Sequence, residues 1–596
     1  MTTNGVSGLD PVTVKILWDR LSSIASEATI TLYRTAFSTV VRESNDFACT
    51  IMDAGGGGTL AQSDIGLPSF VATQAITLRA VLEKFPVETL KPGDVLITND
   101  PWIGTFQVMD FAILAPIFHR GKVVAFAGSV SHTPDIGGLK RWTLALDIFE
   151  EGLFVPPMYF HREGVPNADL LEIIEANSRT PKYTLGDLDA QFASLKIMER
   201  RLQELMEEQD LDNLDELVRE IYGRSESAFR AVVAEIPDGH YTSSLLIDNN
   251  FPDPLTMVVE PDRQPLEMRT AVTIDGSDIT VDFSGSSPQV RGGINSGWTF
   301  TQAYTGYGVR FMMVPYLPHN AGFLRPIKVI SETGTIMAAA FPAPNMARHA
   351  VGHQVVDGVY AALAEIIPER TMAQGGSAPV WVFACVGEDR RGNTYHRILV
   401  MNGGLGGMPQ KDGEVASFPG NFPNTPCEVI DDTMQVIVES KEAIPDSAGP
   451  GKFRGAFGQR LTYRFLDPVV YTIMMARLQH PPKGLLGGWP ARTGRILLNG
   501  KDIGPGSGQI EAGDVLVFET PGGGGLYSPL ERTVDAVVAD VEEELVSIEV
   551  ARDAYGVVID PETLTVDVGA TDELRASLSQ NGHHHHDPQL DSNANA

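Results

Sequence analysis

The stretch Val95-Leu-Ile-Thr-Asn-Asp-Pro-Trp-Ile-Gly-Thr-Phe-Gln-Val-Met-Asp-Phe-Ala-Ile-Leu-Ala-Pro-Ile-Phe contains two apolar runs separated by a polar loop that includes glycine and proline. The runs, residues 95–98 and 111–118, are bounded by turn residues, which is typical of β-strands. A third apolar run, residues 123–130, follows the turn Arg120-Gly121. Three successive strands predict a sheet here, with polar side chains gathered at the strand ends, where loops often carry function.

Helical and strand periodicities alternate along the rest of the chain. Asp10-Pro11 followed by apolar residues at helical spacing predicts a long first helix to about residue 34. A second helix is predicted over about 72–85, and a helical hairpin over about 185–235. From residue 239 to about 330 a period of two dominates, helical patterns return at about 299–313 and 354–367, and strands with glycine turns dominate from 380 to 518. The sequence therefore predicts a multi-domain α+β fold with mixed sheets, a helical hairpin insert and a β-rich C-terminal half.

Changes in periodicity also predict where the chain divides. The run His583 to His586 lies in a polar, low-complexity segment, which favours a disordered tail over a functional metal site. The predicted divisions are an N-terminal α/β part with the candidate site motifs (1–184), a helical segment (185–238), a central β-rich part with helices (239–425), a C-terminal β-rich part (426–570) and a polar, disordered tail (571–596).

Composition excludes one class of partner. The chain has 596 residues, of which 43% are hydrophobic and 20% charged, an ordinary balance for a globular protein with a large core. Its 76 acidic residues outnumber its 45 basic residues and give a formal charge of -31. Most of the surface should repel a polyanion, so nucleic acid is not expected to bind.

Compartment is predicted from what the sequence lacks. No apolar run approaches the roughly 20 residues of a membrane span, and the first residues lack a signal-peptide pattern, which predicts a cytoplasmic protein without a membrane partner. The three cysteines, Cys49, Cys385 and Cys427, form no paired motif. We therefore expect them to be small buried residues rather than disulfide or zinc ligands.

Four residues near the predicted strand ends could bind a metal ion. Asp46, Asp110 and His132 supply two carboxylates and an imidazole, and Gln107 lies three residues before Asp110. Such a donor set suits Zn or Mn. A simpler interpretation, favoured by base rates, is that the two aspartates close strands through side-chain turns and that His132 is a hydrogen-bonded turn residue. His132 could also form an acid/base pair with Asp135, or Asp135 could accept a hydrogen bond from His132 and orient it as a metal ligand.

A second polar loop carries a cation and two imidazoles. Arg348, His349 and His353 lie within ten residues, just before a predicted helix. Such a loop could bind an anion or transfer a proton. A purely structural role, with one histidine hydrogen-bonded and the other packed, fits the sequence about equally well.

Two glycine-rich stretches raise the question of a nucleotide site. One runs from Asn402 to Gly413 and contains Lys411, and the other is Pro521-Gly-Gly-Gly-Gly. Neither has the spacing of a P-loop or a dinucleotide fingerprint. For the second stretch tight turns are favoured over a phosphate cradle, and no nucleotide site is predicted.

A series of motifs in consistent order, spanning roughly residues 8 to 560, resembles the B-type chains of the hydantoinase B/oxoprolinase family. That family includes ATP-dependent hydantoin, oxoproline and lactam hydrolases and subunits of acetone and acetophenone carboxylases. The motifs that carry the resemblance are Arg42-Glu-Ser-Asn-Asp46-Phe-Ala-Cys, Asn99-Asp-Pro-Trp, Ser131-His132-Thr-Pro-Asp135-Ile-Gly-Gly, Arg348-His349-Ala-Val-Gly352-His353, Gly403-Gly-Leu-Gly-Gly with Lys411-Asp-Gly, Thr425-Pro-Cys-Glu-Val-Ile, Ser447-Ala-Gly-Pro-Gly-Lys-Phe-Arg-Gly-Ala-Phe-Gly and Thr520-Pro-Gly-Gly-Gly-Gly.

The resemblance implies a divalent metal held at Asp46, position 107, Asp110 and His132. The family has histidine at position 107, whereas this chain has glutamine. A glutamine carbonyl is a neutral and weaker ligand for Zn or Mn than imidazole, so the site is expected to be reshaped, weakened or empty. The segment Leu67-Pro-Ser-Phe also departs from the family pattern, which has a histidine there.

The resemblance also implies a division of labour between two subunits. ATP is bound by a separate A-type subunit, which phosphorylates an unreactive carbonyl oxygen, and the B-type subunit completes the reaction. The preferred hypothesis is a ketone carboxylase resembling acetophenone carboxylase, which acts on an enol phosphate and consumes bicarbonate, because Gln107 fits a relaxed metal dependence. The alternatives are hydrolysis of a cyclic amide (a hydantoin, oxoproline or a lactam) and a non-catalytic scaffold. The isolated chain is expected to be inactive and not to bind ATP.

Overall fold

An antiparallel seven-stranded sheet organises the N-terminal part, in a computed structural model that describes residues 9–56, 58–259, 263–388 and 392–580. Its order is β2-β1-β5-β4-β3-β6-β7, so the three strands predicted around residue 110 are adjacent, as expected. The strands are β1 Phe47–Asp53, β2 Thr59–Gln62, β3 Val95–Thr98, β4 Asp110–His119, β5 Lys122–His132, β6 Met158–Arg162 and β7 Val165–Pro166.

Helices cover this sheet and connect it with the rest of the chain. Over the described ranges they are α1 Pro11–Thr35, α2 Thr39–Arg42, α3 Phe70–Lys84, α4 Ala168–Asn177, α5 Pro181–Glu208, α6 Asp215–Val233, α7 Trp298–Met313, α8 His349–Gly352, α9 Val355–Leu363, α10 Cys427–Thr433, α11 Val534–Glu542, α12 Ile548–Asp553 and α13 Val568–Gln580.

The two long helices α1 and α5 pack against each other and onto the sheet. Helix α1 begins where predicted, because the Asp10 carboxylate accepts the backbone N–H groups of Val12 and Thr13. On α5, the Gln191 amide donates to the Phe111 carbonyl at 2.9 Å and so ties the helix to β4. Helices α5 and α6 follow one another as predicted, but α1 packs against both of them, and their buried residues belong to the main core.

A second sheet has the order β11-β10-β9-β8 and mixes parallel and antiparallel pairs. The predicted Asp-Gly hairpin is confirmed, with Gly276 at φ +60° in the turn between β9 and β10. The side chains of β9 alternate between buried and more exposed positions, as a half-buried strand requires. The strands are β8 Gly239–Ile247, β9 Leu266–Asp275, β10 Asp278–Asp282 and β11 Ile327–Ile330.

Two further sheets complete the C-terminal half, with orders β13-β12-β16-β19 and β14-β15-β20-β17-β18. The first takes strands from both sides of the predicted boundary at residues 425/426, so that boundary does not separate independent units. The strands are β12 Trp381–Glu388, β13 Thr394–Met401, β14 Val436–Ala443, β15 Gln459–Phe465, β16 Val469–Met474, β17 Arg495–Leu498, β18 Lys501–Asp502, β19 Gly506–Ile510 and β20 Val515–Glu519.

The sheet β13-β12-β16-β19 has a core on each face because its side chains alternate. Trp381 and Phe383 of β12 pack into a C-terminal cluster that also contains Leu399 and Ile473. The intervening residue Val382 joins the main cluster instead. This sheet therefore links the two halves of the molecule.

The glycine-rich stretches pack against one another through backbone hydrogen bonds, which corrects the prediction that Pro521-Gly-Gly-Gly-Gly is a tight turn. We call residues 402–407, 449–458 and 521–525 the glycine layer. Gly404 N donates to Pro521 O at 3.0 Å, and Gly523 N donates to Ala456 O at 2.9 Å. A Cβ on Gly523 would overlap the Leu405 carbonyl. Glycine is required here so that one backbone can approach another.

The disordered tail was predicted to begin at residue 571, but the chain is still helical there. Residues 571–580 belong to α13, which is held to the C-terminal core by specific contacts. The buried Thr571 hydroxyl accepts from Val558 N at 3.0 Å, and Arg575 donates to the Tyr555 carbonyl at 3.0 Å. The polar composition of this segment indicated disorder because local composition does not reveal contacts with residues elsewhere in the chain. The run His583 to His586 lies outside the described residues.

Two expectations from composition can be compared with the structure. Cys49 and Cys385 are buried as predicted, whereas Cys427 is only half-buried. Among the helices of the described ranges, none has the length and apolar character that crossing a lipid bilayer requires.

Candidate functional site

Strand register brings three of the predicted site residues together at one end of the N-terminal sheet. Asp110 begins β4 and pairs directly with His132 at the end of β5. Asp46 precedes β1, the other neighbour of β5, and its carbonyl accepts the His132 backbone N–H at 3.0 Å. Because the strands are antiparallel, the start of one and the end of the next meet at the same edge.

His132 is the centre of the contacts between these side chains. Its Nδ1 lies 3.0 Å from Asp110 Oδ1 and 3.8 Å from Asp46 Oδ2. Gln107 Nε2 lies 2.7 Å from the same Nδ1 and donates to Asp110 Oδ1 at 3.3 Å. Asp46, Gln107, Asp110 and His132 thus form one polar cluster, in which Asp46 is half-buried and the other three are buried.

Arg348 supplies the cluster with a buried positive charge. Its guanidinium lies 3.6 Å from Asp110 Oδ2, and its centre is 4.8 Å from the Phe300 ring and 5.6 Å from the Phe106 ring. Burial lowers the pKa of Arg348, and the carboxylates of Asp110 and Asp46 oppose that effect. Arg348 therefore offsets part of the negative charge of the two aspartates while aromatic rings hold it in place.

Asp46 is the carboxyl group of the cluster with the clearest change in acidity. Burial raises the pKa of Asp46 to about 6. His132 and Arg348 act in the opposite direction, whereas the nearby Asp110 charge adds to the increase. A carboxyl group that titrates close to neutrality can take up or release a proton under physiological conditions.

A largely apolar cavity adjoins the cluster. It has a volume of about 60 Å³, counted as the space open to the centre of a water molecule. Three of its polar lining side chains have a buried nitrogen that no atom of the described residues contacts by a hydrogen bond: His132 Nε2, Arg348 Nε and His349 Nε2. Buried polar groups are usually paired, so these nitrogens could bind a polar atom of a ligand. The apolar lining side chains are Val40, Leu67, Phe106, Trp142, Phe300, Met346, Val380, Val382, Ile398, Val400, Phe422 and Met474.

His349 and His353 also line the cavity. Burial, with the Arg348 charge, lowers the pKa of His349 to about 3. Burial also holds the pKa of His353 well below its usual value, and its ring lies 5.6 Å from Phe300 and 4.7 Å from Tyr304. Both imidazoles are therefore neutral at physiological pH, and His353 is chiefly part of an aromatic stack.

The structure places Asp135 away from the cavity. Its Oδ1 forms an ion pair with Arg179 Nη1 at 2.5 Å, and its Oδ2 accepts the Arg179 backbone N–H. The Asp135 carbonyl accepts from Thr184 Oγ1 at 2.8 Å. Asp135 thus anchors the loop after β5 to the start of α5, and it does not form a pair with His132.

The four predicted metal ligands contact one another directly. Within the described residues, no group of three or more His, Cys, Asp or Glu side chains is arranged to hold a metal ion. A metal ion would require Gln107 to present its carbonyl oxygen and His132 to present a ring nitrogen free of Asp110. The side chains as arranged do not fit a metal ion, and metal binding stays a prediction.

Glu151 is a residue near the site that the sequence reasoning missed. Its Oε1 accepts the backbone N–H groups of Asn345 and Met346 at 2.8 and 2.7 Å, and so holds the loop that leads to Arg348. Burial raises the pKa of Glu151 to about 8, against these two hydrogen bonds and the Arg348 charge. No local motif could have identified it, because Asn345 is 194 residues away.

Comparison with known proteins relates the chain to components of ATP-dependent enzymes. It is 29% identical to the B component of a putative D-/L-hydantoinase from a Pseudomonas species (strain NS671), over 95% of this chain and 98% of that protein. The fold is similar to that of the ATP-dependent caprolactamase from Pseudomonas jessenii, with a TM-score of 0.84, 27% identity and coverage of 95% of this chain and all of that chain.

A third similarity concerns the fold alone. The nucleotide-free structure of acetone carboxylase has a TM-score of 0.85 and 18% identity, covering 98% of this chain and 84% of that chain. The family model described as hydantoinase B/oxoprolinase matches residues 10–529, which include every residue of the cluster and cavity. The chain therefore belongs to the hydantoinase B/oxoprolinase family.

Proposed function

We propose that this chain is the B-type subunit of an ATP-dependent enzyme that opens a cyclic amide after a partner subunit has phosphorylated the amide oxygen. Similarity to a hydantoinase B component and to a caprolactamase, at 29% and 27% identity across nearly the whole chain, supports cyclic amides as the substrate class. The first of these relatives is named as one component of a larger enzyme, which supports a separate A-type partner that would bind ATP.

The observation that carries this proposal is the environment of His132. Its Nδ1 lies 3.0 Å from Asp110 Oδ1, whereas its Nε2 is buried beside the cavity without a hydrogen-bond partner among the described residues. A carboxylate that accepts the Nδ1 proton leaves Nε2 free to act as a base. In this tautomer the Gln107 amide must turn so that its oxygen rather than its nitrogen faces Nδ1, and its hydrogen bond to Asp110 is then lost.

The reaction then follows in two hydrolytic steps. His132 Nε2 removes a proton from water as the water oxygen adds to the carbon of the phosphorylated amide. The nitrogen takes this proton from His132, and the ring C–N bond then breaks as the hydroxyl of the tetrahedral intermediate gives its proton to the departing amine and becomes the carbonyl of an acyl phosphate. A second water hydrolyses the resulting acyl phosphate to a carboxylate and inorganic phosphate. The Arg348 guanidinium, close to the cavity, would stabilise the negative charge that develops on oxygen.

Carboxylation of a ketone is the second candidate. Two observations favour it: Gln107 replaces the expected metal-binding histidine, and most of the cavity wall is apolar, which would protect a reactive enolate from water. In that reaction the enol phosphate transfers its phosphoryl group to bicarbonate, and the resulting carboxyphosphate breaks down to phosphate and CO2. The carbon of the enolate then attacks the CO2. The site residues would be the same.

ATP turnover by the chain reconstituted with its A-type partner distinguishes the two candidates. The expected result is ATP hydrolysis that depends on a cyclic amide and not on bicarbonate, together with release of the open-chain amino acid. Turnover that requires both a ketone and bicarbonate would replace this proposal with carboxylation. The chain without its partner should neither bind ATP nor turn over substrate.

Two further predictions accompany this function. A Zn or Mn ion bound by Asp46, Gln107, Asp110 and His132 can be tested by elemental analysis of the purified complex, and no step above depends on it. The cytoplasmic location predicted from the sequence can be tested by cell fractionation.

A further inference from the structure

We infer that the cavity selects a neutral substrate with an apolar ring and rejects one that carries a carboxylate. This inference rests on the proposed function, because it names the substrate class of the same site. It comes from the distribution of charged and apolar side chains around the cavity, which has a polar end and an apolar wall.

The apolar wall is built from one face of the sheet β13-β12-β16-β19. Val382 in the middle strand pairs directly with Val400 on one side and with Met474 on the other. Val380 and Ile398 lie two residues before Val382 and Val400, so they share the same face. Together these five side chains line the cavity with a continuous hydrocarbon surface.

Aromatic side chains from other elements enclose the same space. Phe106 from the loop before β4 and Phe300 from α7 have ring centroids 4.8 Å apart in an edge-on arrangement. Trp142 and Phe422 also line the cavity. A substrate ring placed here would contact carbon on several sides, which favours an apolar ring.

The charges at the polar end disfavour an anionic substrate. Among the described residues that line the cavity, Arg348 alone carries a permanent positive charge. That charge already faces Asp110 at 3.6 Å, and Asp46 adds a second carboxyl group. The phosphoryl group of the activated substrate would occupy the donors of Arg348 that are still unpaired, so a carboxylate on the ring would have no further cation among these lining residues to pair with. Bringing an unpaired charge into a buried site is strongly unfavourable.

A matched pair of substrates tests this inference in the reconstituted complex. Pyrrolidinone and oxoproline have the same five-membered lactam ring, and only oxoproline carries a carboxylate. We expect kcat/KM for pyrrolidinone to exceed that for oxoproline by at least about 100-fold. A preference for oxoproline would overturn the inference while leaving cyclic amide hydrolysis intact.

A second matched pair separates failure of the inference from failure of the proposed function. If neither lactam is turned over, acetophenone and its para-carboxylated analogue are compared with bicarbonate present. Turnover of acetophenone but not of its carboxylated analogue would reject amide hydrolysis and support selection of a neutral substrate. A preference for the carboxylated ketone, or the absence of turnover and calorimetric binding for both pairs, would reject selection of a neutral substrate.

A substitution in the wall makes the test specific to the cavity. Val400→Lys places a cation opposite the polar cluster and should narrow the preference for pyrrolidinone over oxoproline by about tenfold or more. Val400→Met changes the volume without adding charge and should keep the wild-type order of preference. Equal preferences in the two variants would contradict the assignment of this wall to the substrate ring.

Discussion

The polar cluster around His132 and the glycine layer are both buried, but they satisfy their polar atoms in opposite ways. In the glycine layer, backbone donors meet backbone acceptors across adjacent segments, as in the bonds from Gly404 to Pro521 and from Gly523 to Ala456. In the cluster, His132 Nε2 and Arg348 Nε have no hydrogen-bond partner among the described residues.

This difference in hydrogen bonding indicates that the glycine layer stabilises the fold, whereas the polar cluster can bind a ligand. Paired backbone groups without side chains leave no group available for a ligand, so the glycine layer contributes to the fold and not to chemistry. Unpaired side-chain nitrogens beside a cavity lower stability unless a ligand pairs with them. Substitutions in the two regions should therefore affect different measurements.

The largest effect is expected in the glycine layer. Gly523→Ala should lower the free energy of unfolding by more than about 3 kcal/mol, because the new Cβ would overlap the Leu405 carbonyl and backbone cannot move aside easily. Urea unfolding measures the change. The control is Gly375→Ala, whose Cβ would lie 3.7 Å from the Gly404 oxygen, an ordinary contact. Equal effects would show that close backbone packing is not the cause.

The next largest effect concerns the cluster. His132→Ala should reduce turnover by the reconstituted complex by at least about 100-fold at a temperature where the variant is folded, because it removes the base. His240→Ala, at an exposed position, is the control and should leave turnover unchanged. Unchanged turnover in His132→Ala would favour a scaffold role and remove the contrast between the two regions.

A smaller effect is expected at Asp135, which resembles the glycine layer in being fully paired. Asp135→Asn should lower the free energy of unfolding by about 2 kcal/mol through its weakened contact with Arg179. Turnover and KM should stay close to wild type at a temperature where the variant is folded. A loss of kcat comparable with that of His132→Ala would return Asp135 to the catalytic group.

The smallest expected effect is a change in how the free energy of unfolding depends on pH, caused by the carboxyl group of Glu151. Its pKa is raised in the folded protein to about 8, so the unfolded chain loses this proton first as the pH rises. Stability from this group is therefore complete below about pH 4.5 and falls as the pH rises to about 8. Glu151→Gln keeps an acceptor oxygen and removes the ionisation.

Chemical unfolding of Glu151→Gln and wild type at several pH values measures this change. Relative to wild type, the variant should become more stable by about 1 kcal/mol or more as the pH rises from about 5 to about 8, whereas the cost of its unpaired amide nitrogen is the same at every pH. Parallel pH curves for the two proteins would show that Glu151 does not titrate in this range.

Local patterns predicted the elements well, because they depend on nearby residues. The strands around Val95, Phe111 and Val123, the cap at Asp10 and the Asp-Gly hairpin at Gly276 all lie where the sequence placed them. Burial periodicity and turn chemistry are properties of short segments, so they can be read before the fold is known.

The cluster was predictable only in part. Asp46, Asp110 and His132 could be placed at strand ends, and the structure brings them together through antiparallel register. The placement of Arg348 against Asp110, the pairing of Asp135 with Arg179 and the role of Glu151 depend on contacts between distant segments. For the same reason the sequence did not predict the close packing of Pro521-Gly-Gly-Gly-Gly. A run of glycines does not indicate which segment of backbone packs against it.

The two-faced sheet β13-β12-β16-β19 has a consequence for how this protein can evolve. Residues 380, 382, 398 and 400 face the cavity, whereas Trp381, Phe383, Leu399 and Met401 hold the C-terminal core. Selection can therefore act on every second codon of β12 and β13 to change the accepted substrate, while the codons between them preserve the scaffold. Related enzymes with different substrates could thus diverge along these strands without passing through an unfolded ancestor.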